Sequence, residues 1–168
     1  MEPAVQILPA MSADAETIAA LAGVIWRVHY ADIISGAQIE YMLKQRYAAA
    51  VIRSELARGD ITWDKLLAGG VAVGYASYFS SGHEGEMKLD KLYVHPAHQR
   101  GGYGGLLIAR ALGVARESGC SMLMLAVNKA NAKAIAAYTK YGFRIREAIV
   151  QDIGGGFVMD DYIMVKDV

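Results

Sequence analysis

The chain has 168 residues, 54% of them hydrophobic and 20% charged, with 17 basic residues against 17 acidic ones. That composition excludes a disordered chain, and the neutral balance removes any electrostatic reason to expect nucleic acid or an anionic membrane as the main partner. The single cysteine, Cys120, cannot form an internal disulfide and fits a reducing compartment; no apolar run approaches the ~20 residues that span a bilayer.

Met1-Glu2-Pro3 carries no basic segment before an apolar core, so no signal peptide is read there. The expectation is a cytoplasmic protein with one domain over residues 1–168. None of the three prolines, Pro3, Pro9 and Pro96, divides the chain. Val5, Ile7 and Leu8 predict a first strand ending at Pro9. Ser12 before Ala13, Asp14, Ala15 and Glu16 reads as an N-cap with an acidic first turn. Ile18, Leu21, Ala22, Ile25 and Val28 then recur at helical spacing to about His29. Ser35 reads as the cap of a second helix carrying Ile39, Met42 and Leu43. A third, short helix covers Ala49 to Ala57.

Two strands follow, Ile61 to Ala68 and Val71 to Phe79. Gly69-Gly70 between them is a tight hairpin signal. Further on come a strand from Met87 to Val94, a helix from Tyr103 to Ser118, a strand from Met122 to Val127 and a helix from Ala130 to Tyr141. Two last strands flank Gly154-Gly155-Gly156. Written as β-α-α-β-β-β-α-β-α-β-β, this order predicts a mixed α/β fold around one sheet. Apolar positions in the strand before the glycines fall at Met87 and Leu89, then at Leu92 and Val94. The spacing of two breaks to three, which predicts a β-bulge, unless Leu89 or Leu92 faces a covering helix.

Leu92 to Leu107 reads as strand, turn, glycine-rich loop and apolar helix. Several backbone N–H groups at a helix N-terminus make a ready site for phosphate, and glycine lets an anion approach closely. A turn that needs glycine only for its geometry is the other reading. No Lys-Ser or Lys-Thr follows the glycines, so this is not a nucleoside-triphosphate P-loop. The next strand ends at Ala126-Val127-Asn128 without the acid that a dinucleotide site requires.

Gln99-Arg100-Gly101-Gly102-Tyr103-Gly104 resembles the Q/R-x-x-G-x-G/A pyrophosphate loop of the GNAT superfamily of N-acetyltransferases. Asn128-Lys129-Ala130-Asn131 and Tyr138-Thr139-Lys140-Tyr141-Gly142-Phe143 are similar to two later segments of that family, in its order and separation. Together these cover about residues 87–143. Trp26, Tyr30, the Leu89 to Val94 strand and Asp160-Asp161-Tyr162 resemble a bacterial branch that includes the Pai-type polyamine acetyltransferases. The resemblance implies a mixed, mostly antiparallel central sheet, splayed between its fourth and fifth strands and flanked by helices. It implies acetyl-CoA as co-substrate, no metal, and direct transfer of acetyl to a primary amine on a small molecule such as a polyamine, or on a peptide.

On that resemblance, pantetheine pairs with the backbone of Leu92, Tyr93 and Val94, and an N–H near Tyr93 or Val94 faces the thioester oxygen. Gln99, Arg100, Gly101, Gly102, Tyr103, Gly104 and Gly105 hold the pyrophosphate. Asn128 and Asn131 complete the cofactor set, although Asn128 serves equally as a helix cap. Tyr138 is the acid, because a phenol of pKa ~10 matches a departing thiolate; a core role for its ring is the alternative. Tyr141 and Phe143 read as core. Amine deprotonation falls to Asp90, Glu86, Glu84, His29, His83, His95 or water, with Lys88 standing where some relatives carry an acid. Tyr30, Asp32 and Asp90 are the acceptor-side candidates in the predicted site, joined more weakly by Asp160 and Asp161. Cys120 has no visible base partner and reads as a small buried hydrophobe, which excludes an acyl-enzyme. Trp26 reads as core. A homodimer is left open. The contrasting reading is a catalytically silent acyl-CoA-binding module.

Overall fold

The computed structural model describes residues 3–168; Met1 and Glu2, on which the reading of the N-terminus rested, lie outside the described residues. The described residues form two compact units, one of residues 3–79 with Lys91–Ala109, the other of Ser80–Asp90 with Arg110–Val168.

In the first unit, β1 (Val5–Pro9) is followed by α1 (Ala15–His29), α2 (Gly36–Arg46), α3 (Ala49–Ala57), β2 (Ile61–Ala68) and β3 (Val71–Ser80, whose last residue is counted with the second unit). Three helices, rather than the two in the string above, therefore separate the first two strands. Ser12 does not cap α1. It lies in a short 3-10 turn over Ser12–Asp14, and the Asp14 carboxylate accepts from the Met11 N–H at 2.7 Å. Ser35 does cap α2, accepting from the Gln38 N–H at 3.1 Å. The apolar stripe of α1 buries Ile18, Leu21, Ala22, Ile25 and Trp26. Ala68 opposes Val71 across Gly69-Gly70, whose φ values of 58° and 81° give the backbone twist a two-residue hairpin needs.

Strand β4 (Glu86–Val94) divides between the units, and α4 (Tyr103–Glu117) follows it. The slip in β4 lies further on than the apolar residues indicated. Met87, Leu89 and Lys91 are buried in strict alternation, Leu92 and Tyr93 are half-buried, and Val94 is buried again. The break therefore falls between Lys91 and Val94, because a lysine continues the inward-facing set. A register irregularity does occur next door, in β3, where Leu66 opposes Gly74 and Leu67 opposes Ala72. Val73 is the extra residue, and its carbonyl accepts the His95 N–H at 2.7 Å. A Cβ on Gly74 would stand 2.8 Å from the Tyr93 carbonyl oxygen, so only glycine fits beside this part of β4.

The second unit carries β5 (Met122–Asn128), α5 (Ala132–Lys140), β6 (Arg144–Gly154) and β7 (Phe157–Asp167). Among the described residues, the sheet has seven strands in the order β1-β2-β3-β4-β5-β7-β6. The β1–β2, β2–β3, β5–β7 and β6–β7 pairs are antiparallel, while β4 and β5 are parallel. That parallel ladder joins Glu86–Lys88 to Met122–Met124 and stops there, with the rest of each strand running on. This is the splay the family resemblance implied. Leu123, Met124, Leu125 and Val127 are all buried, the near-continuous pattern of a strand covered on both faces. Helix α4 ends at Gly119 (φ 77°), with Cys120 N–H on Ala115 O and Gly119 N–H on Arg116 O, a Schellman closure.

Candidate active site

In the first unit, β4 turns at His95, whose Nδ1 accepts the Ala97 N–H at 3.0 Å, into a 3-10 turn over Pro96–His98. Gln99 Nε2 donates to the Val94 carbonyl at 3.3 Å, tying the loop back to the strand end. Gly101 N–H bonds His98 O, and Gly102 then takes φ 75°, the left-handed region. Leu106 N–H to Gly102 O is the first bond of α4. The N–H groups of Tyr103, Gly104 and Gly105, in the first turn, therefore have no acceptor within the helix. Gly102, just before them, has no side chain with which to cap them. A Cβ at Gly102 or Gly104 would meet nothing within 4 Å. The result is a bare, glycine-walled helix N-terminus at the head of a fifteen-residue helix, the form of an anion site. Arg100 beside it is exposed. These features fit a pyrophosphate-bearing co-substrate.

Behind β4, Tyr93 enters an aromatic cluster. Its ring centroid lies 5.7 Å from those of Trp26 and Tyr75, and its hydroxyl is 2.8 Å from that of Tyr30. Burial, reinforced by the Tyr30 phenol, pushes the Tyr93 phenol well above its ordinary pKa, so it stays protonated. Tyr30 is itself buried with its hydroxyl on that of Tyr93, whereas Asp32 is exposed. Lys91 is the residue the sequence reading missed. Only 3% exposed, it holds its ammonium 5.0 Å from the Trp63 ring centroid, 5.5 Å from that of Tyr47, and 3.9 Å from Glu55 Oε1. The period of two running from Met87 through Leu89 pointed to it.

In the second unit, Asn128 Oδ1 accepts the Ala130 N–H at 2.9 Å and the side chain is half-buried. Asn131, not Asn128, caps the next helix: its Oδ1 accepts the Ala134 N–H at 3.2 Å, and α5 starts at Ala132 rather than Ala130. Tyr138 is half-buried on α5 with its ring edge-on to Phe143, centroids 5.6 Å apart. Phe143 is core, but Tyr141 is 36% exposed, because α5 turns that position outward. Cys120 is half-buried, not fully buried, since it lies in the turn that ends α4. Asp90 sits 3.7 Å from Lys88 Nζ. Asp160 is ion-paired to Lys129 at 2.6 Å, and Asp161 is buried.

Of the base candidates, Glu84 and His83 are exposed and His29 is half-buried. Glu86 is buried; Ser81 Oγ donates to it at 2.7 Å and Arg146 Nη1 donates to its other oxygen. Burial alone would raise its pKa. The Arg146 and Ser81 hydrogen bonds and the Arg146 charge outweigh that and hold the carboxyl below its usual range, which makes it a poor base. Because the folded value lies below the unfolded one, the stabilisation is complete above the usual Glu range, about 4.3, and is lost as pH falls through the folded value. Melting temperature should therefore drop more steeply on the acid side of about pH 4 in the parent than in Glu86→Gln. Superimposable acid limbs would remove this pair from the acid sensitivity.

Residues 29–143 match the model of the acetyltransferase (GNAT) family. The chain belongs to that family. The matched span includes the glycine turn of this GNAT protein as well as Asn128 and Tyr138, and so runs through both units. A spermidine N(1)-acetyltransferase of Thermoplasma acidophilum is 25% identical over 151 residues, covering 88% of this chain and 90% of its own. Streptothricin acetyltransferase of Streptomyces lavendulae is 36% identical over 76 residues, 45% of this chain and 40% of its own. The fold is shared with PaiA N-acetyltransferase from Thermoplasma acidophilum in complex with coenzyme A, at TM-score 0.84 and 24% identity over 98% of this chain and 99% of that one. A GCN5-related N-acetyltransferase from Rhodopseudomonas palustris gives TM-score 0.81 at 24% identity, over 100% and 97%. Among the described residues, no helix is long and apolar enough to cross a membrane, and no group of three or more His, Cys, Asp or Glu is placed to hold a metal.

Proposed function

We propose that this GNAT protein transfers the acetyl group of acetyl-CoA directly to a primary amine in a ternary complex, with a small polyamine as the first acceptor to try and a peptide amine as the second. Residues 1–168 act as one catalytic domain, in the cytoplasm. The observation that carries this reading is the bare first turn of α4, with open space where Cβ atoms of Gly102 and Gly104 would stand. The likeness to a spermidine acetyltransferase over nearly the whole chain supports the acceptor class.

Acetyl-CoA supplies a thioester-activated acetyl group. The amides of Tyr103, Gly104 and Gly105, with Gln99, Arg100, Gly101 and Gly102 shaping their loop, hold its pyrophosphate. Leu92, Tyr93 and Val94 lie along the pantetheine arm, and an N–H at Tyr93 or Val94 polarises the thioester oxygen. Asn128 donates its side-chain amide to the same arm, its oxygen being committed to Ala130. Asn131 contributes through the helix it caps. Tyr138 gives its proton to the departing sulfur. Asp32 and Asp90 attract the cationic acceptor, Tyr30 walls its pocket, and water takes the amine proton, since Glu86 is tied to Arg146. A panel of amines screened by thiol release from acetyl-CoA tests the reading. Turnover with a primary amine supports it; tight acetyl-CoA binding without turnover on any amine supports a silent binding module instead.

Direct transfer leaves no covalent role for Cys120. Cys120→Ala is expected to keep at least half of the parent kcat/KM, measured beside its melting temperature. A trapped acetyl-cysteine in the parent, with turnover lost in a folded Cys120→Ala protein, would falsify direct transfer.

A further inference from the structure

Lys91 is a buried charge that the proposed chemistry does not use. It is 3% exposed and immediately precedes Leu92, Tyr93 and Val94, the proposed pantetheine segment of β4. Its ammonium lies 5.0 Å from the centre of the Trp63 ring, 5.5 Å from that of Tyr47 and 3.9 Å from Glu55 Oε1. Glu55 is itself held, because Trp63 Nε1–H donates to the same oxygen at 3.1 Å. Carboxylate, indole and ammonium thus meet where α3, β2 and β4 come together. Tyr93, two residues on, enters the same layer of rings. Tyr75 joins the two ends, with its centroid 5.8 Å from that of Trp63 and 5.7 Å from those of Tyr47 and Tyr93.

Stability does not account for a lysine here. Withdrawing an ammonium from water is costly, and a well-packed apolar side chain of similar volume often serves a core as well or better. What a charge adds is register. Lys91 stands between Leu89 and Tyr93 in the period of two along β4. With an apolar residue at that position, a slip of two would exchange one apolar group for another against Trp63, and little would oppose it. With lysine, the same slip takes the ammonium from Glu55 and brings Leu89 or Tyr93 to the carboxylate. A slip of one turns Lys91 to the opposite face of the sheet. The charge is therefore satisfied in one register, at the residue where the regular alternation of β4 ends. Strand β3 is irregular beside this segment. Val73 is its extra residue, and a Cβ on Gly74 would stand 2.8 Å from the Tyr93 carbonyl oxygen.

We propose that Lys91 is a positioning residue for acetyl transfer: with Glu55 and the Trp63 and Tyr47 rings, it fixes where the Tyr93 and Val94 amides stand against the thioester oxygen. This rests on the reading that one of those amides polarises that oxygen. The test is the NMR resonance of acetyl-CoA isotopically labelled at the thioester carbonyl carbon and bound to the full chain. A hydrogen bond to the oxygen draws electrons from that carbon and moves its resonance downfield. The parent should show this displacement relative to free acetyl-CoA. Lys91→Met keeps an unbranched stem and removes the charge. It should bind acetyl-CoA with the parent's rise in melting temperature, yet lose at least half of the displacement. Turnover of an amine that the parent acetylates should fall by ~10-fold or more, with KM for acetyl-CoA within about threefold. An ordinary core lysine predicts the opposite: a changed melting temperature of the free protein, with displacement and turnover per folded molecule as in the parent. Glu55→Gln acts on a side chain 19% exposed and keeps an acceptor for Trp63. It carries the test should Lys91→Met not fold, and is expected to lose part of the displacement. A parent without displacement overturns the amide reading and this proposal with it. A displaced parent, with the full displacement kept in folded Lys91→Met, or in Glu55→Gln where that alone folds, overturns this proposal and leaves the amide reading standing.

Discussion

Replacing Gly104 with glutamate is expected to abolish acetyl-CoA binding and leave the free protein folded. A Cβ at this position meets nothing, so the backbone tolerates a side chain. Glycine within a helix is the poorer former by roughly 1 kcal/mol, and a carboxylate in the first turn is favoured by the helix dipole. The unliganded variant should therefore melt no lower than the parent. The same carboxylate fills the space in front of the Gly104 and Gly105 amides and repels a pyrophosphate. In the parent, acetyl-CoA at a hundred times its Kd contributes about 2.7 kcal/mol, a rise of roughly 5–10 °C for a chain of this size. NAD and ATP should raise the melting temperature much less. The rise should vanish in Gly104→Glu, and Gly104→Ala should melt higher than the parent without ligand. An undiminished acetyl-CoA shift in folded Gly104→Glu would take the turn out of the binding site.

Tyr138→Phe should lower turnover by ~10²-fold or more, the usual scale for one positioned acid. Acetyl-CoA affinity should barely change, since the loop contacts lie on other residues. Packing alone predicts the reverse: Phe fills nearly the same volume and keeps the edge-on contact with Phe143, so the exchange would be almost neutral. Stability must be followed in parallel, because a lost hydroxyl can leave a partner unpaired. Near-parent turnover in a folded Tyr138→Phe enzyme would sink the acid assignment, unless thiolate release is not rate-limiting. A less basic acceptor amine, compared in the same two proteins, decides that point.

Much of the fold was legible because its signals are local. Ser35 as a cap, Gly69-Gly70 as a hairpin and the apolar stripe of α1 each depend on neighbours within one or two turns, where backbone geometry and side-chain period act directly. The glycine turn was legible for the same reason. Ser12 failed as a cap because Asp14 captured the Met11 N–H and wound a 3-10 turn ahead of the helix. Tyr141 and Cys120 failed as core because their exposure depends on what covers a helix end, which no local pattern records.

From sequence alone came the order of elements, the bare helix N-terminus after β4, and the residue types around it, all set by propensity and spacing along the chain. Tertiary structure decided what spacing cannot encode. It buried Lys91 among Trp63, Tyr47 and Glu55, committed Glu86 to Arg146, and paired the Tyr30 and Tyr93 hydroxyls across 63 positions of chain. It also made glycine obligatory at position 74, where the Tyr93 carbonyl lies too close for any Cβ. Each of these is a meeting of groups far apart in sequence, and the cost of burying a charge or a phenol is settled only by the partners the fold brings to it.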